Sequence, residues 1–90
     1  MRSNQFLEQD NKKVIAEQRA AMACLSRSEH ALMLGDLKVA EMYAIDYIKS
    51  VRELAKLEQR KIERDKLFEM AERLNRQGVL TAVVMRVGGN

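Results

Sequence analysis

The chain has 90 residues, 47% apolar and 32% charged, with sixteen Lys and Arg against thirteen Asp and Glu for a net charge of +3. That balance excludes a disordered acidic tail, and the longest uncharged run near the C-terminus, Gly78 to Met85, is far below the ~20 apolar residues of a membrane-spanning helix. One Cys and one His exclude a disulfide framework and leave a zinc site without its usual ligands.

The N-terminus lacks the apolar core of a secretory signal. With Cys24 alone, a reducing cytoplasm is the expected compartment.

A first helix is predicted over residues 3–34. Its apolar residues are Phe6, Leu7, Val14, Ile15, Ala21, Met22, Leu25, Leu32 and Met33, and their spacing fits one helical face. Asn11 and Gln18 fall on that face, where polar residues weaken a coiled coil but fix its register. Ser26-Arg27-Ser28-Glu29 has the form of a capping box. With no breaker nearby, it reads as a continuous helix carrying two exposed serines.

Gly35-Asp36 punctuates the chain. Glycine suits the left-handed position past a helix end, and aspartate suits the N-cap of the next helix. So short a link between long helices implies a tight antiparallel hairpin. Gly35-Asp36-Leu37, followed by Ala40 and Tyr43, resembles the inter-helix turn of a tetratricopeptide repeat over nine residues. It does not recur, whereas stable arrays need about three repeats, so it reads as what a tight helical hairpin prefers.

The second helix is predicted over residues 36–77, roughly 60 Å at 1.5 Å per residue. Its first stripe is Leu37, Ala40, Ala44, Tyr47, Ile48, Val51, Leu54, Ala55 and Ile62, expected to hold the hairpin together. A second stripe, Leu67, Met70, Ala71 and Leu74, lies more than a quarter turn away. Either the helix bends near Arg64–Lys66, or its last three turns pack on something else. Residues 79–87 follow as a short apolar segment whose β-branched side chains favour a strand, with a helix or a frayed tail as the alternatives.

The expected fold is therefore all-α: a long antiparallel two-helix hairpin in a single small domain, with a short apolar C-terminal segment. Two helices bury one stripe each. A thin core of that kind favours an oligomer, either a homodimeric four-helix bundle or a complex with another protein.

Catalysis finds little support. Cys24 and His30 are six residues apart, about 600° on a helix, and so stand roughly 120° apart around it. The carboxylates Glu58, Glu63 and Asp65 lie in a mixed-charge run that reads as a solvated face. There is no glycine-rich phosphate loop and no metal-ligand spacing, so no cofactor, metal or small-molecule substrate is expected.

Lys49, Arg52, Lys56, Arg60 and Arg64 share one face and raise nucleic-acid binding as an alternative. Acidic neighbours interrupt the row, and no aromatic residue offers a stacking platform. A membrane surface is not expected, because the apolar side is rich in Ala and has no Trp. The preferred expectation is a non-enzymatic protein-interaction module, acting as an assembly factor, adaptor or escort. It would engage its partner through Leu67, Met70, Ala71, Leu74, Val79, Val83 and Val87. A structural subunit of a larger assembly is a further alternative.

Overall fold

The computed structural model describes residues 1–2 and 4–77. A 3-10 turn at Glu8–Asp10 leads into α1, Asn11–Met33, and α2 spans Leu37–Arg76. The two helices pack antiparallel, and no strand occurs among the described residues. The molecule measures 68 × 26 × 17 Å, so the hairpin is a single layer of helices.

The turn forms as its residues dictate. Gly35 adopts φ +78°. Its N–H donates to the carbonyl of Leu32 at 3.0 Å, and the N–H of Asp36 donates to that of Ala31 at 2.9 Å. These bonds close α1 as a Schellman motif. Asp36 then caps α2, its Oδ1 accepting from the N–H of Val39 at 3.3 Å. A Cβ at residue 35 would meet no atom within 4 Å. The cost of Gly35→Ala is therefore conformational, about 1–2 kcal/mol, with Gly35→Asn recovering part of it. Urea unfolding of the two variants measures this directly.

The seam follows a seven-residue repeat. On α1 the residues turned inward are Val14, Glu17, Ala21, Cys24, Ser28 and Ala31. On α2 they are Ala40, Tyr43, Tyr47, Ser50, Leu54, Leu57 and Lys61. Alternating steps of three and four are the pattern of a two-stranded coiled coil. Small side chains dominate near the turn, where Ser28 Oγ donates to the carbonyl of Ala40 at 2.7 Å. The open end is filled by Phe6, Val14 and Leu57, with Leu54 packed against them. Among the described residues no side chain is fully enclosed. Burying an alanine methyl contributes only about 0.8 kcal/mol, so this seam stabilises the hairpin weakly.

Three expectations are corrected. The first helix begins at Asn11 rather than at residue 3. Leu7 is extended, with φ −64° and ψ 140°, and the chain turns back so that Phe6 enters the open end of the seam. Asn11 and Gln18 are exposed, not on the seam. The stripe expected to hold the hairpin meets α1 only along one edge: Ala40, Tyr47 and Leu54 face inward, whereas Leu37, Ile48, Val51 and Ile62 remain exposed. Cause and remedy are geometric. The apolar arc is wider than a two-helix seam, and small side chains at its edge allow the closest approach.

Continuity through Ser26–Glu29 agrees with expectation, although Ser28 is half-buried. α2 is also unbroken through Arg64–Lys66.

Candidate functional site

Two apolar surfaces remain without a partner among the described residues. The first is a face of the hairpin itself. The apolar residues one step C-terminal to the seam positions are Ile15, Met22, Leu25 and Leu32 on α1, with Gln18 and Glu29 between them. On α2 they are Ala44, Ile48, Val51, Ala55 and Ile62, with Glu41 and Glu58 among them and Leu37 one turn before Glu41 on the same side. Seen from one end, a right-handed helix turns clockwise as it recedes and anticlockwise as it approaches. In an antiparallel pair, one step past the seam therefore emerges on the same side of both helices. The eight large side chains of this set form one face, between 38% exposed at Ile62 and 67% at Leu37. The N-terminal turn borders it at one end, where Met1, Gln5 and Phe6 line a cleft with Val51, Ala55 and Glu58. Gln5 Nε2 donates to Glu58 Oε2 there at 2.7 Å.

The opposite side of the hairpin is mainly polar, with Met42 exposed on it. Lys13, Glu17, Glu53, Lys56 and Arg60 line one shallow groove. Asp46, Lys49, Glu17 and Glu53 border the next, beside Cys24 and Ser50. An apolar face backed by a charged one is the amphipathic design of a layer that packs on one side only.

The second apolar surface is the part of α2 that outruns α1. Leu67 and Met70 are exposed, and Ala71 and Leu74 are half-buried. Because α2 is continuous, this stripe sits roughly 140° round the helix from the first at 100° per residue. It belongs with the polar side of the hairpin. Arg64, Leu67, Phe68 and Ala71 line an almost wholly apolar depression, and the Arg64 guanidinium lies 5.5 Å from the Phe68 ring centroid. Phe68 thus joins the predicted set. Val79, Val83 and Val87 lie outside the described residues, as does the question of strand or helix over 79–87.

The basic row is less free than its spacing implies. Lys56 pairs with Glu53 at 3.0 Å, Arg60 reaches Asp10 at 3.5 Å, and Arg64 is committed to Phe68. Lys49 borders Asp46 and Glu53 in the polar groove, and Arg52 is exposed. Acidic neighbours offset much of the row, where a phosphate backbone attracts a run of one sign.

The Asp10–Arg60 ion pair joins a buried carboxylate to a half-exposed guanidinium. Asp10 is 4% exposed at the start of α1, and its Oδ2 has no hydrogen-bond partner. Arg60 stays half in water. Removing Arg60 strands a buried carboxylate, whereas removing Asp10 leaves a guanidinium that water can solvate. Arg60→Ala is therefore expected to cost about 2–3 kcal/mol and Asp10→Ala about 1. A double-mutant cycle by urea unfolding reads the difference. Equal costs would mean that the carboxylate is solvated.

Cys24 is half-buried on the seam and His30 is exposed, bordering a different groove with Arg27 and Tyr43. Among the described residues no group of three or more His, Cys, Asp or Glu side chains converges. No described helix is long and apolar enough to cross a membrane. Comparison with protein-family models, with curated proteins and with solved structures finds no significant match.

Proposed function

We propose that this chain is a non-enzymatic helical interaction module, working as a small assembly factor, adaptor or escort. It acts by burying exposed apolar helix surface against other helices. The observation that carries this reading is the exposure of Ile15, Met22, Leu25, Leu32, Ile48 and Val51 on one side of a hairpin whose other side is charged. Large contiguous apolar surface of this kind is uncommon on a protein that acts alone and marks an interaction site. The overhanging stripe of Leu67, Met70, Ala71 and Leu74 offers a second, separate contact, continuing toward the segment that holds Val79, Val83 and Val87.

The test is capture of protein partners from a lysate of the source cells, with the full chain and two variants as bait. Leu74→Glu and Met22→Glu each place a charge on one surface while leaving the seam intact. Circular dichroism is expected to show both still helical, and at least one captured protein to be lost with Leu74→Glu. Identical capture by all three baits would remove the support for both surfaces. Deletion of residues 79–90 extends the same test to the C-terminal segment.

A further inference from the structure

We infer that the apolar face of the hairpin receives an amphipathic helix of another protein, one whose apolar stripe is flanked by lysine or arginine at both ends. The inference rests on reading this face as a protein-binding surface and names the chemistry of its occupant. It follows from the sign of the charges on the face.

Within the hairpin the charged residues on this face are Glu29, Glu41 and Glu58, and all three are acidic. The cations of the two helices stand elsewhere. Lys12, Arg19, Lys38 and Arg52 lie along the outer edges, turned away from the seam. Lys13, Lys49, Lys56 and Arg60 line the grooves of the opposite side. Arg27 lies 5.8 Å from the Tyr43 ring centroid, and Lys61 pairs with Asp65. A chain of net charge +3 thus presents an apolar face that carries negative charge alone.

The three carboxylates mark the two ends of the face. Ser28 bonds to Ala40 and Arg27 lies over Tyr43, so Glu29 and Glu41 stand across from one another near the turn. Asp10 pairs with Arg60 and Val14 packs with Leu57, so Glu58 stands level with the start of α1. Glu41 and Glu58 are about five helical turns apart along α2, roughly 25 Å at 1.5 Å per residue. Between these ends run Ile15, Met22 and Leu25 on α1 and Ile48 and Val51 on α2. Ala44 and Ala55 leave shallow places beside the last two, where the ridge of a third helix fits. A helix seated in a groove is held by apolar anchors on one of its faces, and its flanks then lie over the carboxylates.

Those carboxylates are open to a cation. Among the described residues Glu29 and Glu41 make no salt bridge and no side-chain hydrogen bond. Glu58 Oε2 accepts from Gln5 Nε2 at 2.7 Å, which fixes its carboxylate at the open end. A lysine or arginine brought beside each gains a charge-assisted bond at the rim of an apolar contact. The same charges disfavour the other occupants. A second copy laid face to face would bring three carboxylates from each copy into one apolar interface, with no cation between them. An anionic lipid surface would be repelled. Residues 78–90 hold a single cation, Arg86.

The experiment uses the full chain and two labelled peptides of about eighteen residues, the length of the face. Both carry leucine and alanine in one helical stripe. One has lysine beside the stripe at both ends, and the other has glutamate in the same places. Fluorescence anisotropy is expected to show the lysine peptide bound about tenfold more tightly or better, with the difference shrinking as salt is raised. Glu29→Gln, Glu41→Gln and Glu58→Gln should each weaken the lysine peptide about two- to five-fold. Glu29→Lys combined with Glu41→Lys should turn the preference toward the glutamate peptide. Ile48→Gln, polar but uncharged, should weaken the lysine peptide as well. Asp46→Asn and Glu53→Gln remove carboxylates from the opposite side and should change nothing.

Equal binding of the two peptides, or binding of neither, overturns the inference. So do losses from Asp46→Asn and Glu53→Gln as large as those from the face. Binding that appears only once residues 79–90 are deleted would make that segment the occupant and overturn it too. A dimer in light scattering that Ile48→Gln converts to a monomer would do the same in favour of a second copy. Lysate capture that is lost with Met22→Glu while neither peptide binds leaves the interaction reading standing, so the two ideas fail separately.

Discussion

Phe6→Ala is expected to destabilise the hairpin by about 3 kcal/mol or more. Phe6 is 7% exposed and plugs the open end of the seam against Val14 and Leu57. The rest of the seam is largely alanine, serine and half-buried tyrosine, so this cluster holds most of the enclosed apolar surface. A core of this size supplies no more than about 3–5 kcal/mol in total. The variant should therefore be close to unfolded at 25 °C, unless association restores it. Urea unfolding followed by circular dichroism measures the loss, with Phe6→Leu as a control expected to cost about 1 kcal/mol. A loss under ~0.5 kcal/mol for Phe6→Ala would show that the N-terminal turn contributes nothing and that α1 is held by its alanines alone.

Ala21→Leu is expected to destabilise although it adds apolar surface and replaces one good helix former with another. Ala21 is 6% exposed on the seam, opposite α2. Extra methylenes there must push the helices apart or force an unfavourable rotamer, at about 1–3 kcal/mol. Ala23→Leu is the control, because Ala23 is exposed on the same helix. It should shift stability by less than about 0.5 kcal/mol. Equal effects at the two positions would mean that Ala21 does not face α2. The pair of variants therefore tests the orientation of α1 about its own axis, on which the position of the apolar face depends.

That orientation is also where reading the sequence and seeing the structure part company. Gly35-Asp36 could be read directly, because a glycine that needs positive φ and an aspartate that caps a helix are local requirements. The length of α2 could be read too, since nothing between Leu37 and Arg76 interrupts helix formation. The split between two stripes on α2 was legible as an angle, and the unbroken helix through Arg64–Lys66 turned that angle into two separate surfaces.

The seam was not legible in the same way. Val14, Ala21 and Ser28, each followed three residues on by Glu17, Cys24 and Ala31 in turn, keep a strict seven-residue register. Their polarity hides it, because Glu17 and Ser28 do not look like core residues. The stronger apolar signal from Ile15, Met22, Leu25 and Leu32 drew the expected inner face one step round the helix. Phe6 misled for a related reason. Its spacing to Val14 fits a helix, but its ring gains more by folding back onto Leu57 than by extending α1 into water.

The sequence by itself determined two long helices, a tight turn at Gly35-Asp36, and an arc of apolar side chains on each helix, because these depend on local backbone preference and on helical period. Only the tertiary structure decided which edge of each arc meets the other helix. That choice depends on how closely small side chains let two backbones approach, and on the filling of the open end by Phe6. Neither is a property of one helix alone, and together they leave the larger apolar residues outside the hairpin.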